Sequence, residues 1–348
     1  MRAAFSLGSE NIGMGQAIGV IGAGGWGTAL AKLLCEKGHD VTLWCHGEQT
    51  YRGIQETKEN RSYLPGIPLP PALKISRSMK EAAGDKSFLF CAVPSHTVRE
   101  VMRSAAAYAA ADAILICGTK GIDEEQRIPM GQVLNQIFGP GSGRRLAFLS
   151  GPTFALEVAR GLPAAITVAA EDEAVSRGVQ EILSTQSLRI YTSKDVVGVQ
   201  MGGVVKNVIA IAAGISDGLG LGFNARAALI TRGLAEMTRL AVRMGADPLT
   251  LSGLPGLGDL ILTCTGELSR NRAVGMQIAQ GKRLNDILGG MRMVAEGVKN
   301  TRSVYLLAGR LGVEMPIVEQ MHLVLYEGKQ PREAVRDLMQ RSLKAEIT

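Results

Sequence analysis

The sequence predicts an α/β domain on a doubly wound, mostly parallel sheet, followed by an all-helical C-terminal domain. Three observations carry this. In the first half, short apolar runs alternate with helical stretches or loops, the pattern of a parallel sheet covered on both faces. A glycine-rich turn joins the first run to the first helix. Beyond about Asp195 the runs stop and long helical periods take over. A chain of 348 residues is long for one core. We therefore expect a loose leader over residues 1–15, an α/β domain over 16–195 and a helical domain over 196–348.

Taken in order, the first strand begins at Ala17 and runs to Ile21. The turn Gly22-Ala23-Gly24-Gly25-Trp26-Gly27 leads into a helix from Thr28 to Lys37, which Gly38 ends as a C-cap. The second strand is Val41–Trp44. Further apolar runs at 87–93, 113–117, 146–149 and 164–170 supply the rest of the sheet. In the second half, 196–216 is nearly all apolar or small apart from Lys206 and Asn207, so it is expected as a central, buried helix. An amphipathic helix over 231–244 follows, with Arg232 and Glu236 four apart on its exposed face. Pro248, Pro255, Pro316 and Pro331 punctuate the remainder.

Composition excludes several functions. Net charge is +6, with 46% hydrophobic and 20% charged residues, the balance of a chain that buries a sizeable interior. The basic excess is spread out, with no run of the kind a nucleic-acid tail shows, and an anionic small molecule accounts for it as well. Aromatic residues are few, which argues against a stacking platform for single strands or sugars. Five cysteines form no C-x-x-C pair and four histidines lack ligand spacing, so neither a disulfide framework nor a metal is expected. The charge-free stretch 11–31 has the length of a membrane span, but its seven glycines make it no membrane helix. Without a secretory core the expected location is cytoplasmic.

The strongest local signal is Gly22-x-Gly24-x-x-Gly27 between strand and helix. In a Rossmann-type fold the first glycine makes the turn, the second admits a pyrophosphate and the third lets helix pack on strand. A phosphate there meets free N–H groups at a helix N-terminus. The expected ligand is a nicotinamide or flavin dinucleotide. At the end of the second strand, Trp44-Cys45-His46-Gly47-Glu48 offers no carboxylate where an NAD-selective fold has one, and no Arg to bind a 2′-phosphate. His46 either touches the adenosine ribose or its phosphate or lies on a surface loop. The choice between NAD and NADP stays open.

Three strand ends and a buried cation carry the remaining chemistry. Val93-Pro94-Ser95-His96 and Gly118-Thr119-Lys120-Gly121 each end a strand, where open α/β sheets bind ligands. Lys120 is either an anion holder or a solvated turn lysine. Ser150-Gly151-Pro152-Thr153-Phe154-Ala155 offers N–H groups and a hydroxyl, or is an ordinary Gly-Pro turn. Lys206 is a lone cation in an apolar helix; desolvation and any neighbouring cation lower its pKa, which suits a general acid/base. The plainer reading is a lysine reaching along the helix to the surface. Asp259, Thr263 and Thr265, then Ser269-Arg270-Asn271-Arg272, supply a carboxylate, hydroxyls and a guanidinium suited to a phosphate. Alone, either group could be a helix cap with a surface charge pair.

Taken together these segments resemble the bacterial NAD(P)-dependent sn-glycerol-3-phosphate dehydrogenase family. Further residues that carry the likeness are Lys206-Asn207-Val208-Ile209-Ala210, Asn224-Ala225-Arg226, Thr231 to Glu236, Gly258-Asp259 and Val294-Ala295-Glu296-Gly297, all in family order. The resemblance implies a site between the two domains and reversible reduction of dihydroxyacetone phosphate to sn-glycerol 3-phosphate for phospholipid synthesis. It implies Lys206 as proton donor and acceptor, with Lys120 and Asp259 as further catalytic residues. It places Lys120, Gly151, Thr153, Lys206, Asp259, Ser269, Arg270 and Asn271 around the phosphorylated substrate. It places Gly22, Gly24, Gly25, Trp26, Gly27, His46, Lys120, Ala155, Arg270, Val294 and Glu296 around NAD or NADP, and it suggests a homodimer.

The chain departs from the family pattern twice. Gly25 stands where many relatives have Ser, leaving only a backbone N–H for the pyrophosphate. Cys45-His46-Gly47 stands where many carry Arg, which weakens the expectation of NADP preference. Two rival readings are a hydroxy-acid or ketopantoate dehydrogenase, which shares the architecture without needing a phosphate anchor, and a dinucleotide sensor without turnover.

Overall fold

The computed structural model describes residues 15–346 apart from 140, 292 and 344. The leader expected over 1–15 thus lies, save Gly15, outside the described residues. Eight strands form one sheet: β1 (Ala17–Ile21), β2 (Asp40–Trp44), β3 (Lys74–Ser76), β4 (Phe88–Cys91), β5 (Ile114–Cys117), β6 (Leu146–Ser150), β7 (Ala164–Ala169) and β8 (Leu188–Ser193). Their order is 3-2-1-4-5-6-7-8, parallel throughout except for the antiparallel pair β6–β7. The order reverses between β1 and β4, so the carboxyl ends of these two strands open the crevice where doubly wound sheets bind ligands.

Six strands coincide with the apolar runs, because central strands buried on both faces read as continuous hydrophobic stretches. The other two, β3 and β8, are the sheet's edges. The three residues of β3 include the exposed Lys74, and β8 alternates buried Leu188 and Ile190 with exposed Arg189 and Tyr191. Neither presents an unbroken apolar run.

The first helix, Gly25–Glu36, starts where Gly24 acts as N-cap without a side chain to satisfy the free N–H groups. Two glycines of the turn are required sterically. Gly22 has φ +119°, and a Cβ on Gly27 would stand 1.9 Å from the Gly22 carbonyl oxygen. The helix thus packs onto the turn as closely as backbone allows.

From Val196 onward every element among the described residues is a helix. The central helix, Val196–Gly218, is buried along most of its length, as its composition predicts. It is long and apolar enough to cross a membrane, but 83% of its most apolar window is buried inside the protein. The Arg270–Ala279 helix packs directly on it: a Cβ at Gly214 would meet the Arg272 carbonyl oxygen at 2.0 Å. Pro248, Pro316 and Pro331 each stand in the first turn of a helix, where the missing N–H costs nothing.

The helix expected over 231–244 instead spans Gly222–Arg243. Glu236 is not on its exposed face. Its carboxylate is buried and accepts from the N–H groups of Ile317 (2.7 Å) and Val318 (3.3 Å), capping the Pro316–Tyr326 helix from a neighbouring element. Helical spacing alone cannot reveal that a charged residue faces another helix's N-terminus.

Candidate active site

A cleft of about 320 Å³ lies between the carboxyl ends of the strands and the helical half. From the α/β half it is lined by Gly24, Gly25, Trp26, Lys120, Thr153 and Ala155. From the helical half come Lys206, Ser269, Arg270, Asn271, Val294 and Glu296. Segments far apart in sequence thus meet in one place.

The glycine turn fits a dinucleotide. Nothing lies within 4 Å of where a Cβ of Gly24 would project, so backbone there is open to a close ligand. The first-turn N–H groups have no side-chain cap and are free for a pyrophosphate. Gly25 is backed by chain rather than by solvent: a Cβ there would stand 2.9 Å from the Tyr63 carbonyl oxygen. Gly22 and Gly27 shape the turn from behind.

Lys206 is buried and does not reach the surface. Its Nζ donates to Asp259 Oδ1 and, at 2.8 Å, to the Thr263 hydroxyl, which itself donates to the Asp259 carbonyl at 2.6 Å. The other oxygen of Asp259 accepts from Lys120 Nζ at 2.6 Å, and the Gly151 carbonyl lies 3.4 Å from the same nitrogen. One carboxylate therefore holds two ammonium groups, and Lys120 is no solvated turn lysine. Burial lowers the Lys206 pKa to about 8, helped by the positive charge of Lys120 and opposed by Asp259. Burial alone would raise the Asp259 carboxyl, but the two ammonium groups prevail and hold it below the ordinary range.

Asp259 owes its placement to an irregular segment. The π-helical turn Leu254–Gly258 precedes the Asp259–Thr265 helix, and a Cβ on Gly202 of the central helix would stand 2.3 Å from the Pro255 carbonyl oxygen. That contact brings the π-turn onto the central helix one turn before Lys206. Such bulges recur at functional sites.

Ser269 and Arg270 begin the Arg270–Ala279 helix at the cleft's mouth. Ser269 is its N-cap, accepting from the Arg272 N–H at 3.3 Å, and Arg270 is exposed, with one guanidinium nitrogen donating to the Val294 carbonyl at 2.9 Å. Asn271 is held at both ends, donating to Asn207 Oδ1 at 2.9 Å and accepting from the Gly297 N–H at 3.0 Å. Arg272 turns away to Asp217 at 2.7 Å. His46 stands apart from the cleft, exposed at the end of β2, its ring centroid 5.7 Å from that of Trp44.

Two polar residues at this site, Ser95 and Asn300, are not among those the sequence assigns to it. Ser95 donates to both oxygens of Glu296, through its N–H at 2.9 Å and its hydroxyl at 2.5 Å, tying the two halves together across the cleft. Asn300 is buried and donates to the carbonyls of Lys120 (3.3 Å) and Val204 (3.5 Å). Only the Pro94-Ser95-His96 strand end gave a signal for the first, and nothing local marks the second. A correction concerns the end of β2, where the sequence offers no Arg in the local segment. Arg77, entering from the end of β3, and Arg52 both pair there with Glu48.

Comparison with known proteins decides the family. The family model described as the N-terminus of NAD-dependent glycerol-3-phosphate dehydrogenase matches residues 17–176, and the model of its C-terminus matches 195–336. The chain belongs to the NAD-dependent glycerol-3-phosphate dehydrogenase family. A relative from Syntrophotalea carbinolica, named glycerol-3-phosphate dehydrogenase, NAD(P)+, is 55% identical over 95% of this chain and 99% of its own length. The crystal structure of glycerol-3-phosphate dehydrogenase from Coxiella burnetii matches with TM-score 0.90 at 39% identity, over 94% of this chain and 99% of that one. A ketopantoate reductase from Ralstonia eutropha matches at TM-score 0.58 and 14% identity, over 92% of this chain and all of that one, a likeness of fold alone. The dehydrogenase thus shares its architecture with one rival reading and its sequence with the family.

Proposed function

We propose that this NAD(P)-dependent glycerol-3-phosphate dehydrogenase interconverts dihydroxyacetone phosphate and sn-glycerol 3-phosphate with Lys206 as proton donor and acceptor. The observation that carries the assignment is the Lys206–Asp259–Lys120 group, in which a buried carboxylate holds two lysines that line the cleft shared by the glycine turn and Arg270. When bound, the dihydronicotinamide supplies the hydride that reduces the ketone carbon. Lys206 Nζ delivers a proton to the oxygen as negative charge develops on it, leaving a neutral amine; in the reverse direction that amine takes the proton back. A pKa near 8 lets Lys206 serve both directions around neutrality.

Lys120 adds positive potential beside the developing alkoxide, and Asp259 keeps both lysines aimed at one point. Arg270, at the mouth and next to the rigidly held Asn271, anchors the substrate phosphate away from the reacting carbon. Gly151, Thr153 and the Ser269 backbone complete that side. The Gly22–Gly27 turn and the Gly25 N–H hold the pyrophosphate. Trp26, Ala155, Val294 and Glu296 flank the rest of the cofactor, and His46 faces its adenosine end.

The same reading includes a domain division at residue 195, supported by the two-residue gap between β8 and the central helix. It also includes a homodimer, a cytoplasmic setting and supply of sn-glycerol 3-phosphate to phospholipid synthesis, all supported by the family likeness. Sedimentation of the purified chain tests the dimer. For the chemistry, Lys206→Ala is expected to collapse kcat while dinucleotide affinity is kept. Near-normal turnover in that variant would remove Lys206 from the role.

A further inference from the structure

In doubly wound folds the adenosine ribose lies over the end of the second strand, where a free carboxylate selects NAD and an arginine accommodates the 2′-phosphate of NADP. Here β3 pairs with β2 in parallel register, Trp44 opposite Ser76, so the chain that leaves β3 emerges at the same edge. Arg77 is the first residue out. Its backbone is fixed there: the Trp44 indole N–H donates to the Arg77 carbonyl at 3.1 Å, and the Cys45 N–H donates to the Ser76 carbonyl at 2.8 Å. Its guanidinium pairs with Glu48, in the first turn of the Glu48–Thr57 helix, and Arg52 Nε reaches the same carboxylate at 2.6 Å.

We propose that Arg77, assisted by Arg52, reads the 2′-phosphate of NADP(H), and that Glu48 holds the two guanidinium groups ready until the phosphate replaces it. The inference rests on the dinucleotide reading of the Gly22–Gly27 turn. Two guanidinium groups against one carboxylate leave a local charge of +1 where an NAD-selective fold keeps a free carboxylate. Glu48 cannot accept from both ribose hydroxyls without surrendering both arginines. The three side chains are 43–70% exposed, so their ion pairs are screened and weak. A phosphate near two negative charges is the stronger partner for a planar guanidinium, which it can bind bidentately. NADH still binds with Glu48 left in place, so this arrangement tolerates both cofactors and discriminates by what the phosphate adds.

The test is equilibrium binding of ADP and 2′,5′-ADP to the full chain, by titration calorimetry, in wild type, Arg77→Ala and Glu48→Gln. These residues are exposed, so the variants are expected to fold. Arg77→Ala should weaken 2′,5′-ADP about tenfold or more and ADP less than about twofold. Glu48→Gln should bind 2′,5′-ADP at least as tightly as wild type does. Raising salt from about 0.05 to about 0.5 M should narrow the difference between the two ligands in wild type. Equal effects of Arg77→Ala on both ligands, or none on either, would overturn the proposal while leaving the dinucleotide reading intact. Weaker ADP binding by Glu48→Gln would do the same, by making Glu48 the ribose reader. Wild type that bound neither ligand would refute both readings.

Discussion

Replacing Asp259 with Asn probes the charge arrangement around Lys206. The carboxylate is buried and, among the described residues, is the one negative group in contact with both ammonium groups, so its loss leaves two cations facing each other across a neutral amide. A unit charge pair about 4 Å apart at an effective dielectric of about 20 is worth about 4 kcal/mol, or about three pKa units. Allowing about one unit for the amide oxygen that remains, the Lys206 pKa falls from about 8 to about 6. At pH 7.5 the protonated share of Lys206 then drops from about three-quarters to about one in thirty, a loss of about twentyfold in acid function. Ketone reduction needs the protonated form, so activity stands below the pKa and is lost as pH rises through it. The assay is the pH profile of kcat/KM for dihydroxyacetone phosphate reduction, with circular dichroism to confirm folding. Wild type should lose activity above about pH 8 and Asp259→Asn above about pH 6. An alkaline limb that stayed near 8 in folded Asp259→Asn would refute the claim that Asp259 holds the charge on Lys206.

Arg270→Ala should chiefly raise the KM for the phosphorylated ketone, by about tenfold to a hundredfold for loss of a charged hydrogen bond, with kcat reduced less; a fall in kcat at unchanged KM would count against a phosphate anchor. Glu236 tests linkage far from the site. Burial raises its pKa to about 7, against the two N–H groups it accepts from, so the folded chain binds this proton more tightly than the unfolded chain does. Its contribution to stability is then full below about pH 4.5 and lost as pH rises through about 7, by about 3 kcal/mol. Glu236→Gln should flatten that decline in melting temperature between pH 5 and pH 8, and an undiminished decline would assign it to other groups.

What the sequence makes legible follows from which signals are local. The glycine turn and the continuous strands are visible because each is decided by its own neighbours: Gly27 must lack a Cβ to pack on Gly22, and β4 must be apolar because both its faces are covered. The edge strands β3 and β8 are hidden, since a half-exposed strand carries charge among its apolar residues. Lys206 stands out as a cation in an apolar helix, but its partner Asp259 lies 53 residues away, and no spacing rule links the two. The family likeness supplies that connection. Ser95 with Glu296, and Arg77 with Glu48, show the remaining limit: each pair is made by strand order and domain packing, and no local signal says which residue meets which.

Oxidation of NADH and NADPH by dihydroxyacetone phosphate, with unphosphorylated dihydroxyacetone as control, tests the central claim most directly. Turnover that requires the phosphate is the predicted result. Equal turnover of both ketones, or none of either by protein that binds the dinucleotide, would contradict it.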